Sequence, residues 1–455
     1  MNIPAPILAA LPDAVDACRE THISWVLLAG EFAYKIKKPV SLPFLDYGTV
    51  EKRRFYCQEE LRLNRRFAPE LYLEVVELAG EPAVKMRRFD EALRLDQVCR
   101  RGALTPAHLT RFARELAEFQ RSAAQAAAEF GTPEIIRADA LENFDELEQL
   151  LPAETESLAR LRAWTEAEWQ RRQGDFTRRH TGGFIREGHG DLHLGNLVLL
   201  DGRIVAFDGI EFSADFRCID VASEIAFTLL DLLDHDQPGL ATWLLNEWLV
   251  WSGDFDALAV LRFYLVYRAM VRAKVAALRG DPAEARGYFA LAQRLISSPA
   301  SRLTITCGPS GCGKTYLTSC RLASADSLDT VRIRSDVERK RLFGLAPDAA
   351  SGGTIYTPEA NTRTYARLAE LAEAIVQHGW SVIVDAAFLR RAERDRFRAL
   401  AGRLGVPFEL IAPQATPDEL ARRIAARRDD ASEATVEIMR RQLSWFEPPG
   451  DDERL

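Results

Sequence analysis

Two kinds of hydrophobic pattern divide the chain. Short apolar runs alternate with polar residues between Ile23 and Lys37, where Ile23–Ala29 and Glu31–Lys37 flank Gly30 as a hairpin. A helical period follows over Thr49–Phe67, with Leu61 on its apolar face. Leu73–Leu78 and Ala83–Arg88 predict a second hairpin around Ala79-Gly80-Glu81-Pro82. Helical spacing dominates Pro106–Arg178, short strands return over Phe184–Phe212, and Ala222–Leu295 is helical again, with Trp243, Trp248, Trp251 and Phe263 as core candidates. Beyond Ser297-Ser298-Pro299-Ala300-Ser301, which reads as a linker, strands (303–307, 330–334, 381–385, 407–411) alternate with helices (314–323, 336–343, 358–378, 390–403, 417–428). Such alternation predicts a parallel sheet covered by helices. The expected architecture is a two-lobed α+β domain over 1–298 followed by an α/β domain over 299–455.

Composition narrows the function classes. At 455 residues, 47% apolar and 28% charged, the chain is an ordinary globular protein of two to three domains. No run approaches the ~20 apolar residues of a membrane span, and Met1–Leu11 lacks the shape of a signal peptide, so a cytoplasmic location is expected. The seven cysteines form no CxxC pair, which fits reduced thiols rather than a disulfide or zinc framework. The net charge of −8 is unevenly placed: Ser301–Leu455 carries about +1 and the remainder about −9. Lys314 and Lys340 are the only lysines in that second segment; arginine supplies the rest of its positive charge.

Gly308-Pro309-Ser310-Gly311-Cys312-Gly313-Lys314-Thr315 matches GxxxxGK[ST] between a strand and a helix. Glycines let backbone N–H groups wrap a β-phosphate, Lys314 reaches the β/γ-phosphates and the Thr315 hydroxyl suits Mg²⁺. Asp385 ends an apolar strand, where an acid holds Mg²⁺ or its water, or caps the next turn. Asp336 opens a helix at the carboxyl end of a strand, as an N-cap or as the acid facing a substrate hydroxyl. Arg422, Arg423, Arg427 and Arg428 fall on one helix that could close over phosphates or face solvent.

The first part carries a second phosphate chemistry. His189-Gly190-Asp191-Leu192-His193-Leu194-Gly195-Asn196 spaces an Asp five residues before an Asn, as in the catalytic loop H-R-D-L-x-x-x-N. There the Asp orients a hydroxyl and the Asn holds Mg²⁺. Leu197–Leu200 and Arg203–Phe207, joined by Asp201-Gly202, predict a hairpin that returns Asp208 beside Asn196 as a further metal-binding carboxylate. Phe32-Ala33-Tyr34-Lys35 fits V-A-I-K, with Lys35 preferred and Lys37, on the same strand face, as the alternative phosphate lysine. Glu60 is the candidate ion-pair partner and Glu59 the alternative.

These motifs carry two resemblances. HGDLHLGN (189–196), FDGIEF (207–212), AGEFAYKIKKPVSLPFL (29–45) and EELRLNRR (59–66) resemble the aminoglycoside-phosphotransferase branch of the protein-kinase-like fold. The likeness implies that Asp220 and His189 are structural. GPSGCGKT, RSDVERKRLFG (334–344) and VIVDAAF (382–388) resemble small-molecule P-loop kinases of the gluconate-kinase, shikimate-kinase, zeta-toxin and polynucleotide-kinase group. That likeness implies Asp336 as the acceptor-site acid and Arg423 and Arg427 within a lid. The joint expectation is a bifunctional kinase using ATP and Mg²⁺ on small hydroxyl-bearing acceptors. The alternatives are a nucleotide-binding regulatory half, or a nucleic-acid-end or zeta-toxin-like kinase, and near-neutral charge over 301–455 disfavours nucleic acid.

Overall fold

The computed structural model describes residues 3–42, 45–297, 300–352, 355–426 and 432–453. Its contacts define two compact units. One comprises Met1–Phe112, Phe119–His235 and Phe263–Ala292; the other takes in Ala113–Glu118, Asp236–Arg262 and Gln293–Leu455.

The first unit opens with an antiparallel sheet of β1 (Val15–Glu20), β2 (Ser24–Ala29), β3 (Phe32–Lys37), β4 (Tyr72–Leu78) and β5 (Glu81–Arg87), in the order β1-β2-β3-β5-β4. The β2–β3 turn is Gly30-Glu31, with Gly30 at φ +56°. The second hairpin is tighter than its sequence predicts. Ala79 and Gly80 both take positive φ, 53° and 88°, so two residues suffice and Pro82 enters the strand. One sheet face packs Trp25, Leu27, Tyr34, Ile36 and Ala83 into a core. The other receives helix α1 (Val50–Asn64), capped by the Thr49 hydroxyl, through Cys57 and Leu61 against Tyr72 and Val84. Period-2 alternation puts Lys35 and Lys37 on this second face, towards α1.

The lower part of this unit is helical. The Pro106–Arg178 pattern resolves into Pro106–Ser122, Pro133–Leu150 and Thr155–Thr181. The Ala-rich segment between the first two is not helix: it lies extended along Ile185–Glu187, with Ala126 N donating to Ile185 O and Glu187 N donating to Ala124 O, each at 3.0 Å. Strands β6 (Leu197–Leu200) and β7 (Arg203–Ala206) pair through Asp201-Gly202, both at positive φ, in the predicted two-residue turn. Helix α2 (Val221–Asp234) and the Phe263–Leu278 part of helix α3 (Leu258–Leu278) complete the core, in which Phe263 is buried.

The second unit is built on a fully parallel sheet of β8 (Leu303–Thr306), β9 (Thr330–Arg334), β10 (Ser381–Asp385) and β11 (Phe408–Ile411), ordered β9-β10-β8-β11. Helix α4 (Lys314–Ala323) follows β8, and helix α5 (Ser335–Leu342) follows β9. Helices α6 (Pro417–Ala426) and α7 (Val436–Trp445) pack Leu420 and Met439 around Cys312. The helix Pro238–Ser252 covers the β9 edge: Asn246 Nδ2 donates to Thr330 O at 3.0 Å, and Arg332 N donates to Asn246 Oδ1 at 2.6 Å. One amide thus satisfies a strand edge that would otherwise expose unpaired backbone groups. Among the described residues no helix is long and apolar enough to cross a membrane, and none of the seven cysteines is paired.

Candidate active sites

In the first unit the loop 189–196 is held by its backbone. Leu192 and Leu194 are fully buried anchors. Helix α2 presents Glu224, Thr228 and Asp231 on one face. Glu224 accepts the His189 N–H, Thr228 donates to Leu192 O at 2.6 Å, and Asp231 accepts from Leu194 N at 2.9 Å. The sequence reading missed this stripe; its signal is three polar residues at helical spacing in an otherwise apolar helix. Gly190 sits at φ +87°, and a Cβ there would lie 2.7 Å from Phe216 O, so the loop admits no side chain at that position.

His189 is buried and fixed as a strut. Its Nε2 meets Phe207 O at 2.9 Å and its Nδ1 accepts from Asp191 N at 3.3 Å; burial lowers its pKa, so the ring is neutral. Asp220, at the base of the loop, receives Arg179 through Nε at 2.7 Å and Nη2 at 2.8 Å, and Tyr264 OH at 3.2 Å. It also caps α2 by accepting from Ala222 N at 2.8 Å.

Asn196 donates through Nδ2 to both the backbone oxygen and Oδ2 of Asp191, each at 3.0 Å. His193 Nε2 lies 3.4 Å from Asp191 Oδ2. Burial acts to raise the Asp191 carboxyl, but the His193 charge and hydrogen bond outweigh it and hold it well below the ordinary range. His193 is raised, its burial outweighed by Asp191. The β6–β7 hairpin brings Asp208 back beside Asn196, as Phe207 N donates to Asn196 O at 3.0 Å. Asp208 itself has φ +63°, a conformation that costs a non-glycine residue energy and that its neighbours enforce: Tyr72 OH accepts from Asp208 N at 2.9 Å and Asn64 Oδ1 accepts from Gly209 N at 2.8 Å.

Both candidate lysines reach Glu60. Lys35 Nζ lies 2.8 Å from Glu60 Oε1 and 2.5 Å from Asp208 Oδ1. Lys37 Nζ lies 2.7 Å from Glu60 Oε2 and contacts Glu211. Lys35 keeps 12% of its side-chain surface exposed and Lys37 none, so of the pair only Lys35 reaches solvent. Glu59 instead pairs with Arg62 at the surface.

In the second unit Gly308, Gly311 and Gly313 take φ of 134°, 87° and 100°. A Cβ on Gly311 would lie 2.9 Å from Leu420 O, so α6 packs directly on the loop. The Lys314 ammonium donates to Gly308 O at 2.7 Å and Pro309 O at 2.9 Å, and lies 3.5 Å from Cys312 Sγ. Ser310 N donates to Gln442 Oε1 of α7 at 2.7 Å. Arg423 Nη1 donates to Cys312 O at 3.3 Å, whereas Arg422 extends into solvent. Arg427 and Arg428 lie outside the described residues. Thr315 is the second residue of α4, and the parallel register sets Asp385 one strand away from the loop, where Thr306 Oγ1 donates to Ala386 O at 2.7 Å.

Asp385 is buried, and its Oδ2 has no hydrogen-bond partner among the described residues; Arg334 Nε stands 3.9 Å away. Asp336 is the second residue of α5, whose N-cap Arg334 makes no side-chain cap. Burial raises its carboxyl, partly offset by Arg334 and Arg339. Arg339, one turn on, is buried, donates through Nη2 to Asn361 Oδ1 at 3.0 Å and leaves Nε unpartnered among the described residues. It was not picked out from the sequence, where it is one arginine among many.

Both sites offer oxygen donors of the hardness Mg²⁺ selects. In the first these are Asp208, nearly half exposed, and the Asn196 side-chain oxygen; in the second, the Thr315 hydroxyl and the unpartnered oxygen of Asp385.

Two family models match the chain one after the other. Residues 56–263 match the phosphotransferase enzyme family and residues 303–449 match an AAA domain. The uncharacterized proteins Rv2004c of Mycobacterium tuberculosis (strain ATCC 25618 / H37Rv) and Mb2027c of Mycobacterium bovis (strain ATCC BAA-935 / AF2122/97) are each 30% identical over 450 residues. Each alignment covers 94% of this chain and 90% of the relative. Among solved structures, a GDP and kanamycin complex of APH(2")-IIia aligns at 14% identity and TM-score 0.43, over 64% of this chain and 97% of that one. A choline/ethanolamine kinase family protein from Mesorhizobium loti aligns at 14% and 0.42, over 64% and 93%.

Proposed function

The chain belongs to the family of these mycobacterial proteins, with a kinase-like phosphotransferase domain followed by a P-loop kinase-like domain, and from that premise we propose that it is a bifunctional, ATP- and Mg²⁺-dependent phosphotransferase with an independent nucleotide site in each half. The carrying observation is the convergence of Lys35, Glu60, Asp191, Asn196 and Asp208 from four separate segments onto one site, together with a complete phosphate loop in the other unit. We place the boundary between the halves near 298/299, and the protein in the cytoplasm, where unpaired cysteines are stable.

In the first half Lys35 would bind the α/β-phosphates. Asp191, ionised and held by Asn196, would accept the hydrogen bond of an acceptor hydroxyl and orient it for in-line attack. Its depressed pKa favours orientation over early proton removal. In the second half the Gly308–Gly313 amides and Lys314 would cradle phosphates, with Ser310 and Cys312 in the loop, Arg423 and Arg427 over it, and Asp336 facing the acceptor. Mg²⁺, held by Asn196 and Asp208 in one site and by Thr315 and Asp385 in the other, would neutralise phosphate charge. The acceptors are small hydroxyl compounds rather than nucleic acid. Arg339 beside Asp336 suits one carrying an anionic or carbonyl oxygen in the second site.

Calorimetric titration with Mg²⁺-ATP tests the two-site claim. The expected stoichiometry is two per chain, falling to one in Asp208→Asn and one in Lys314→Ala. A single site in the parent chain would refute it. One observation favours a gated second half: Gln442 occupies the Ser310 amide and Lys314 binds its own loop. If these contacts hold the loop shut, Gln442→Ala will tighten nucleotide binding there; unchanged affinity would remove this reading.

A further inference from the structure

Tyr264, Arg268 and Arg272 are spaced four residues apart on α3 and form one stripe of the helix. The outer two end on carboxylates that support the catalytic loop: Tyr264 OH donates to Asp220 Oδ2 at 3.2 Å, and Arg272 Nε lies 3.8 Å from Asp231 Oδ1. The middle one does not. Arg268 is only 6% exposed, yet it forms no ion pair among the described residues. Its Nε donates to Ser223 O at 3.3 Å, and its Nη2 has no hydrogen-bond partner among them. Its guanidinium carbon lies 4.0 Å from the Phe227 ring centroid and 5.0 Å from that of Tyr267, so aromatic rings take its faces and leave the edge bearing Nη2. Nearby carboxylates do not compensate it. Glu224 already accepts from His189 N and, at 3.1 Å, from Gln120 Nε2, and Asp139 feels the Arg268 charge but is raised to about 6, chiefly by burial. Phe227 joins Arg268 to the site: its ring stands 6.5 Å from that of His193, whose Nε2 lies 3.4 Å from Asp191 Oδ2. The Asp191 charge acts on Arg268 directly, and the Asp191 side chain is 36% exposed.

Resting on the reading of Asp191 as the residue that orients the acceptor hydroxyl, we infer that Arg268 binds the acceptor of the first site and that this acceptor is an anionic hydroxycarboxylate. A buried cation without a counter-charge is costly, and a bound acid supplies that charge. One guanidinium edge matches a carboxylate in shape, and one positive charge balances one negative charge. A phosphate monoester would bring nearly two negative charges, and Arg272, the next cation of the stripe, is engaged by Asp231. The acceptor's carboxylate sits on Arg268 and its hydroxyl on Asp191. In the transfer the hydroxyl oxygen bonds to the γ-phosphorus, the bond to the β,γ-bridging oxygen breaks as ADP leaves, and the hydroxyl proton passes by way of Asp191 to solvent. Arg268 takes no part in those bonds; it selects the acceptor and fixes where its hydroxyl lies.

The test uses the full chain carrying Lys314→Ala, so that labelling reports the first site. A pool of cytosolic metabolites is split on an anion exchanger at neutral pH, and each fraction is incubated with γ-labelled ATP and Mg²⁺. Label should enter the retained, anionic fraction, and should still do so when that fraction has first been treated with a phosphatase that is then removed. Label confined to the unretained neutral and cationic compounds would overturn the inference, and loss of label after phosphatase would overturn the carboxylate in favour of a phosphate ester. With the retained fraction as substrate, Arg268→Met should raise the apparent acceptor KM about thirtyfold. It should leave Mg²⁺-ATP affinity within about twofold and the melting temperature at or above that of the Lys314→Ala chain, because it removes an uncompensated buried charge. Arg268→Lys, which keeps the charge without the fork, should fall between the two. An unchanged acceptor KM in Arg268→Met, or a lowered melting temperature with weakened binding of both substrates, would overturn the inference and leave Arg268 a packing residue. Label in neither fraction, from a chain that still binds Mg²⁺-ATP, would overturn the inference together with the transfer reading on which it rests.

Discussion

Asp220→Asn should loosen the catalytic loop without touching any residue placed at the phosphates. The Arg179 and Asp220 side chains are 2% and 1% exposed, joined by hydrogen bonds of 2.7 and 2.8 Å. An asparagine keeps one oxygen, which can still accept from Ala222 N and preserve the helix cap, but its amide nitrogen cannot accept from Arg179 Nε and Tyr264 OH, which share Oδ2. The charge that compensates Arg179 is lost as well. Leaving one partner of a buried pair uncompensated costs about 3–5 kcal/mol; with the retained neutral contacts we take about 3 kcal/mol. At 1.4 kcal/mol per factor of ten, amides protected by the opening of this region should exchange about 100-fold faster. The assay is hydrogen–deuterium exchange read by mass spectrometry on peptides spanning 185–200, which include the His189 and Leu194 amides held by α2. Local exchange is the right readout because a chain of two units need not unfold in one step. The paired replacement Arg179→Met/Asp220→Leu removes both charges and should restore exchange to within about tenfold of the parent. Parent-like exchange in Asp220→Asn, or a double variant as fast as the single, would refute the account of this ion pair as the support of the loop.

Three further outcomes follow from particular contacts. Gly311→Ala, at φ +87° with its Cβ directed at Leu420 O, should weaken Mg²⁺-ATP binding at the second site at least tenfold and leave the first site unchanged, as read by titration of each site in the appropriate background. Asp139 is raised to about 6, chiefly by burial and then by Glu142, so its folded form disfavours the charge; its contribution is neutral below about pH 4 and becomes destabilising as pH rises towards and past 6. Asp139→Asn should therefore raise the melting temperature at pH 8, by roughly 1–3 kcal/mol of stability, and give no gain at pH 4. Glu453 binds the buried Arg394 through two hydrogen bonds of 2.7 and 3.0 Å, and Arg394 holds Phe388 O beyond β10; Glu453→Gln should cost about 3 kcal/mol in urea denaturation followed in the second unit.

Much of this arrangement was legible because it depends on local chemistry. The phosphate loop announces itself through glycines that only positive φ requires, and the β6–β7 hairpin through Asp201-Gly202 and the alternation around it. The spacing of Asp191, Asn196 and Asp208 then follows from the hairpin register. Alternating apolar strands and helical segments were enough to predict the parallel sheet of β8 to β11. What escaped depends on contacts between distant segments. Glu224, Thr228 and Asp231 show in the sequence only as a polar stripe in an apolar helix, and what the stripe holds emerges only once α2 lies under the loop. Asn246 reads as an ordinary helix residue until it meets the β9 edge, and Arg339 as one arginine of a charged run. The choice between Lys35 and Lys37 stayed open in the sequence because both share one strand face. Burial separates them, since only Lys35 keeps access to solvent.

The central claim, that each half transfers phosphate at its own site, is tested most directly by incubating the full chain with γ-labelled ATP, Mg²⁺ and a pool of cytosolic metabolites, then separating the labelled products. Three proteins are compared: the parent, Asp208→Asn and Lys314→Ala. Asparagine is chosen at 208 because it tolerates the positive φ that alanine would resist. The account predicts two sets of labelled products, one lost in each variant, with the products identifying the acceptors. Loss of all labelling in Lys314→Ala with no change in Asp208→Asn would contradict it and make the first half a nucleotide-binding module without transfer.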